Sequence, residues 1–251
     1  MLSPRSWLLT LLATVALVAL SRAAGLLPEV WLGWPDDGCL NDNCYCEPIR
    51  PGFVRQTFAT ETNLGFAAVG LALAFGRTAL GDRRRWLAVG ALLLTAAGSW
   101  FYHASLTRVG EWADLMGTYG LLLLFNILAA LRRWPGRGAA IGMIAIGFWA
   151  LGGIQMAFAR DLQQIVFVVL VGSAVTLEAR PPAPGHDRRW LFAGLACFAV
   201  GAACWIGDAT GRLPCWPEAP FTWHGLWHLL AAGAAGLMCR YHLGSLKSGE
   251  R

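Results

Sequence analysis

Long apolar runs broken by short polar segments dominate this chain. They cover Trp7 to Ala24, Thr57 to Phe75, Trp86 to Leu106, Glu111 to Leu131, Ala139 to Phe158, Leu162 to Leu177, Trp190 to Gly207 and Trp223 to Arg240. Each is roughly the length, about 20 residues, that a helix needs to cross the hydrocarbon core of a bilayer. The pattern predicts an all-α membrane protein, a seven-transmembrane-helix bundle over residues 57–242 with an extra N-terminal hydrophobic segment at 1–24. A connector rich in Pro and Gly spans 25–56, and a short tail covers 243–251. The first segment reads two ways. Arg5 before the apolar stretch, with Ser21 and Ala23 at its end, suits a cleaved signal peptide; the length of the run favours a retained helix.

Composition supports the membrane reading. Only 14% of the residues are charged and 56% are hydrophobic, whereas a soluble domain carries about 25% charge. The net charge of +5 is arginine in short clusters, which reads as a topology signal and not as a nucleic-acid footprint. Arg77, Arg83, Arg84 and Arg85 fall in one loop, Arg132, Arg133 and Arg137 in another, Arg180, Arg188 and Arg189 in a third, and Lys247 and Arg251 in the tail. The alternate loops hold only Arg108, Arg160 and Arg212. Positive charge stays inside, so the C-terminus is expected to be cytoplasmic and the connector outside. Scarce lysine with abundant Arg, Ala and Gly suggests a GC-rich bacterial source, hence an inner membrane whose outer side is the periplasm.

With that orientation, the polar residues inside the apolar runs collect near one depth. His103 ends an outward helix, His224 and His228 begin an inward one, Asp114 starts a helix on the outer side and Asp208 ends one there. Glu61 lies in the same outer third, while Glu178, beside Arg180 at an inner helix end, reads as an interfacial charge. An ionisable side chain in a membrane span costs several kcal/mol unless it is paired or hydrated, so a group of them calls for a reason. His224 and His228 at i, i+4 share one helix face. With His103 they make a three-imidazole metal set, for which zinc with an open fourth position is the best match. Two ligands on one face cannot sandwich a porphyrin, so no haem is expected. Asp114 reads either as a partner of Arg108 or a helix-start charge, or as a general base. Ser99, one turn before His103, either bonds its own helix backbone or donates to a developing oxyanion.

Cys39, Cys44, Cys46 and Cys215 are expected on the outer side, where disulfides form. Cys44-Tyr45-Cys46 has poor spacing for a zinc pair, which prefers two to four intervening residues.

Several short motifs in a fixed order carry a family resemblance. They are Cys46-Glu47, Thr62-Asn63, Gly98-Ser99-Trp100-Phe101-Tyr102-His103-Ala104-Ser105-Leu106, Asp114, Trp205-Ile206-Gly207-Asp208, Cys215 and His224-Gly225-Leu226-Trp227-His228. The chain resembles the alkaline ceramidases, within the seven-helix membrane hydrolases that also include the adiponectin-receptor-like proteins. The resemblance implies zinc on His103, His224 and His228, Ser99 beside the substrate carbonyl, Asp114 as proton carrier, and a Cys46–Cys215 disulfide. It implies hydrolysis of ceramide or a related lipid amide, a linear carbon–nitrogen bond. It also implies a calcium site, for which Glu47 and Asp42 are the candidates; Gln56 stands where a further glutamate is expected, and Pro48 and Pro51 interrupt the motif. The receptor-like relatives carry an alternative expectation, a metal-containing membrane sensor without turnover.

Overall fold

The computed structural model describes residues 3–42, 44–76, 83–179, 187–219 and 221–244, and every regular element among them is a helix. Arg77, Arg180, Lys247 and Arg251 of the topology argument lie outside the described residues, as do Asn43 and the side chain of Asp42.

The helices are α1 (Pro4–Ala24), a single turn α2 (Cys39–Asp42), α3 (Thr57–Thr62), α4 (Leu64–Phe75), α5 (Arg83–Ser105), α6 (Arg108–Arg133) and α7 (Gly138–Phe158). A 3₁₀ turn (Arg160–Leu162) leads into α8 (Gln163–Glu178), then come α9 (Arg188–Ala209) and α10 (Trp223–Gly244). Among the described residues, seven helices are long and apolar enough to cross a membrane, α3 with α4 and the 3₁₀ turn with α8 each counting as one. This is the architecture of a multi-pass membrane protein. Large apolar side chains are exposed on the helix surfaces, Ile144, Ile146 and Leu151 on α7, Val168 on α8 and Phe192 on α9 among them. The remaining long helix, α10, spans 22 residues, but His224, His228, Arg240 and His242 dilute its apolar character.

The N-terminal segment is built as a docked helix. Ser3 caps it, with Pro4 in the first turn. Its buried face is small and polar, Ser6, Thr10 and Ser21, and it packs on α4 and α3. Ser21 accepts a hydrogen bond from Trp100 at 2.8 Å, and Arg22 pairs with Glu61 at 2.9 Å.

The apolar run expected as one helix over 57–75 is bent at Asn63. The Asn63 amide turns to the Glu61 carbonyl. Its side chain instead donates to the Ala59 carbonyl at 2.9 Å, and Thr62 Oγ1 reaches the same carbonyl at 3.0 Å. Side chains inserted into the i→i−4 ladder are a standard cause of a kink.

α5 and α6 form the closest helix pair of the bundle's front. A Cβ on Gly98 would lie 2.3 Å from the Ala113 carbonyl oxygen, and one on Gly117 would lie 2.7 Å from Thr95 Cα, so only glycine permits this approach. Leu106 turns the chain between them with φ 47°, a left-handed conformation costing a non-glycine residue on the order of 1 kcal/mol. Its side chain is fully buried, which offsets that strain.

The inner end is tied by charge. Arg85 donates to the carbonyls of Leu73, Ala74 and Gly76, closing the last turn of α4. Glu178, expected at the interface beside Arg180, is instead buried, paired with Arg132 of α6 and accepting from the Tyr241 hydroxyl at 2.8 Å. Burial of α8 against α6 leaves Arg132 the cation within reach.

Around this frame α6 contacts α7 and α8, and α10 contacts α4 and α9. The backbones of α8 and α9 do not meet. Phe167 bridges them through its ring, 6.3 Å from Phe198 and 5.8 Å from Trp205. Between α5, α6 and α8 on one side and α9 and α10 on the other lies a cavity of about 570 Å³.

Candidate metal centre and its cavity

The three histidines meet at the end of the bundle where α5 ends and α10 begins. The chosen nitrogens of His103, His224 and His228 lie within 4.8 Å of one another, and Nε2 of His103 stands 3.2 Å from Nε2 of His224. All three side chains are buried. Gathering three imidazoles in an apolar interior without a hydrogen-bonding or metal role would leave costly unmet polar atoms.

The Nδ1 atoms of two of them are held from behind. His103 Nδ1 bonds Gln56 Oε1 at 2.7 Å. His228 Nδ1 lies 3.2 Å from the Ala59 carbonyl and 3.1 Å from Thr62 Oγ1. The Ala59 carbonyl is the one the kink at Asn63 removes from the ladder, so the bend in the helix supplies the acceptor. Carbonyl and amide partners on Nδ1 fix the tautomer with Nε2 as the free donor atom, the usual support for a ligating histidine. The third ring, His224, is stacked against Tyr45 with centroids 3.6 Å apart. The donor set fits a divalent transition metal, and these three residues could hold one.

Thr222 caps α10, its Oγ1 accepting the Gly225 amide at 3.0 Å, and Asp208 adds an acceptor from α9. One carboxylate oxygen accepts the His224 amide at 3.2 Å and the other accepts the Cys46 amide at 3.2 Å, so one side chain aligns the metal helix with the connector. The Cys46–Cys215 disulfide reinforces the same junction, as the resemblance implied. A second disulfide, Cys39–Cys44, was not anticipated from the sequence. Tyr45 therefore sits between two crosslinked cysteines directly over His224.

Among the described residues no ion pair joins Asp114 to Arg108. Ser99 is buried and lines the same cavity as Asp114. The Gly98 contact with Ala113 brings these two residues face to face. Ser99, Asp114, His224, His228 and Tyr45 together line the outer end of the cavity, whose body is apolar: Phe66, Leu121, Phe125, Phe167, Phe198 and Met238.

Glu47, the calcium candidate whose side chain is described, is otherwise engaged. Both Glu47 oxygens accept backbone amides, Phe58 at 2.6 Å and Ala59 at 3.0 Å, which caps α3 with an anion at its positive end. Burial raises the Glu47 carboxyl above the ordinary range, opposed by those two hydrogen bonds. Gln56, where a glutamate is expected, is turned to His103. Among the described residues the histidine trio is the one cluster with metal-ligand geometry.

Sequence reading missed Gln56, Tyr45 and Asp208 as supports of the site. Asp208 stood in a quoted motif and its position just before an outer loop was a signal. Gln56 and Tyr45 lie in the connector, where no periodicity points to a role.

No family model matches the chain. A search of curated proteins likewise finds no match.

Proposed function

We propose that this protein is a membrane-embedded, zinc-dependent amidohydrolase that cleaves the amide bond of ceramide or a related lipid amide. The observation carrying this reading is that Ser99, Asp114, His224 and His228, the last two joined by His103, line a largely apolar cavity. A lipid chain fits the cavity, and its polar linkage then meets the histidines. The gap between the backbones of α8 and α9 offers a sideways entrance from the bilayer.

A zinc ion on the three imidazoles would supply Lewis acidity at the amide carbonyl and acidify a water near neutral pH. The chain's own residues do the rest. Asp114 accepts the proton of the attacking water and hands it to the leaving nitrogen, so that amide and water become carboxylic acid and amine. Ser99 donates its hydroxyl hydrogen to the oxygen that gains charge. Tyr45 and the connector cover His224 from the outer side and limit bulk water.

Both disulfides lie at the histidine end, while Arg83, Arg84, Arg85, Arg132, Arg133, Arg188 and Arg189 lie at the other helix ends. Oxidised thiols outside and arginine inside support a bacterial inner-membrane protein with its site towards the periplasm.

The test is metal content and turnover of the detergent-purified protein. About one zinc per chain is expected, lost in both His103→Ala and His228→Ala. Asp114→Asn should keep the metal and lose hydrolysis of a fluorescent ceramide. A well-folded, metal-free wild type overturns the mechanism. Metal retained without turnover of any lipid amide favours the sensor reading.

A further inference from the structure

The outer mouth of the cavity is polar, unlike its body. Asp37, Glu111, Arg160 and Gln163 line it. A smaller cavity bounded by Asp37, Arg160, Asp161, Gln163 and Gln164 shares four of these residues with the large one. The two spaces meet there.

The hydrogen bonds at this mouth are unbalanced in one direction. Arg160 is spent on Glu111, with Nε at 3.1 Å and Nη2 at 2.7 Å from its two oxygens, and on the Asp37 carbonyl. Two acceptors are left over. Asp37 is 4% exposed; its Oδ1 accepts the Cys39 amide at 3.0 Å, and its Oδ2 has no hydrogen-bond partner among the described residues, the nearby Tyr102 hydroxyl being given to the Cys39 sulfur at 3.4 Å. Gln163 Oε1 is in the same position. The nearest cation, Arg160, binds the Asp37 main chain and not its carboxylate.

A buried acceptor without a donor is costly, and here the cost falls on a carboxylate locked in place. Asp37 precedes Gly38, whose φ is 98°, and follows Asp36, which bridges to Thr107. The side chain is therefore held at the mouth by its backbone. Burial raises the Asp37 carboxyl above its ordinary value, as expected for a group that waits for a counter-charge.

We propose that this mouth is a headgroup subsite for a primary ammonium, so that the substrate is a lipid amide carrying a free amine within a few bonds of the scissile linkage. The assignment rests on the lipid-amide reading and deepens it. An ammonium offers three N–H donors and no acceptor, which matches a site with surplus acceptors. A hydroxyl offers one donor. A phosphate brings only further acceptors to a site where two carboxylates face one guanidinium. Proximity to the chemistry follows from the shared cavity, whose lining includes Asp37, Glu111, Tyr45 and Asp114.

The test uses the full-length protein in a non-ionic detergent. Dodecylammonium and dodecanol are titrated against tryptophan fluorescence, and paired lipid amides with and without a free amine near the amide are compared by kcat/KM. Wild type should bind dodecylammonium about tenfold or more tightly than dodecanol. Asp37→Asn and, independently, Gln163→Leu should each reduce that ratio towards one in protein that melts no lower than wild type. Equal affinities in wild type, or a ratio unchanged in both folded variants, overturn the subsite. Binding preference without hydrolysis of any amide upholds the subsite and sinks the hydrolase. Hydrolysis with no preference for the amine does the reverse.

Discussion

At the scale of single residues, the site depends on groups that do not touch the reacting atoms. Gln56 fixes the His103 ring through one 2.7 Å hydrogen bond. Loss of such a partner typically lowers metal affinity about 10- to 100-fold. Gln56→Ala should therefore lose zinc to a competing chelator at about 10- to 100-fold lower chelator concentration than wild type, with helical content unchanged by circular dichroism. Asp37 bears on pH. Its folded carboxyl is raised above the ordinary 3.8, by burial first, so the native state binds the proton more tightly than the unfolded chain. The stability that proton confers is present below 3.8 and drains away as pH rises through the raised value. Asp37→Asn should consequently melt at a higher temperature than wild type near pH 7, with the difference closing below about pH 4. A pH-independent difference in Tm would refute this.

How far such residues were legible depended on their contrast with the background. Histidines four apart in an apolar run stand out because a membrane span rarely tolerates them. His103, His224 and His228 could be picked from composition and spacing, and the structure brings them together. Gln56 and Tyr45 occupy a connector of mixed polarity, where one more polar or aromatic side chain carries no signal. Four outer cysteines allow three pairings, and nothing local favours Cys39 with Cys44.

At the scale of elements, boundaries followed from apolar length. The helices observed, Gly138–Phe158 and Arg188–Ala209 among them, begin and end within a few residues of the apolar runs. The bend at Asn63 was hidden, since Thr62 and Asn63 interrupt the run too briefly to mark a break. Their effect comes from where their side chains bond, which needs three dimensions. The α5–α6 crossing likewise depends on distance and not on pattern. Adding one methyl at Gly98 puts carbon 2.3 Å from the Ala113 carbonyl, and overpacking of this kind costs about 1–3 kcal/mol. Gly98→Ala should lower Tm in detergent and should cut turnover more than Gly90→Ala, because the displaced backbone carries Asp114. Gly90 has open space beside it, so its alanine variant serves as the control.

At the scale of the molecule, the connector and the last two helices are fastened at one point. Cys46–Cys215 closes a separation of 169 residues, Cys39–Cys44 one of 5. Chain-entropy scaling gives about 5 kcal/mol for the first and about 2 kcal/mol for the second, and the bilayer, by confining the unfolded helices, reduces the larger figure. Cys215→Ser should destabilise the fold more than Cys44→Ser and should raise proteolysis of the connector. Equal losses of Tm would show that the long crosslink constrains nothing the membrane has not already fixed.

The missing backbone contact between α8 and α9 divides the bundle unequally. α9 reaches the remainder through α10, through a few aromatic rings and through a bond from Arg188 to the Glu178 carbonyl. The seam between α8 and α9 is thus closed by side chains, whereas α10 packs backbone to backbone on both α9 and α4.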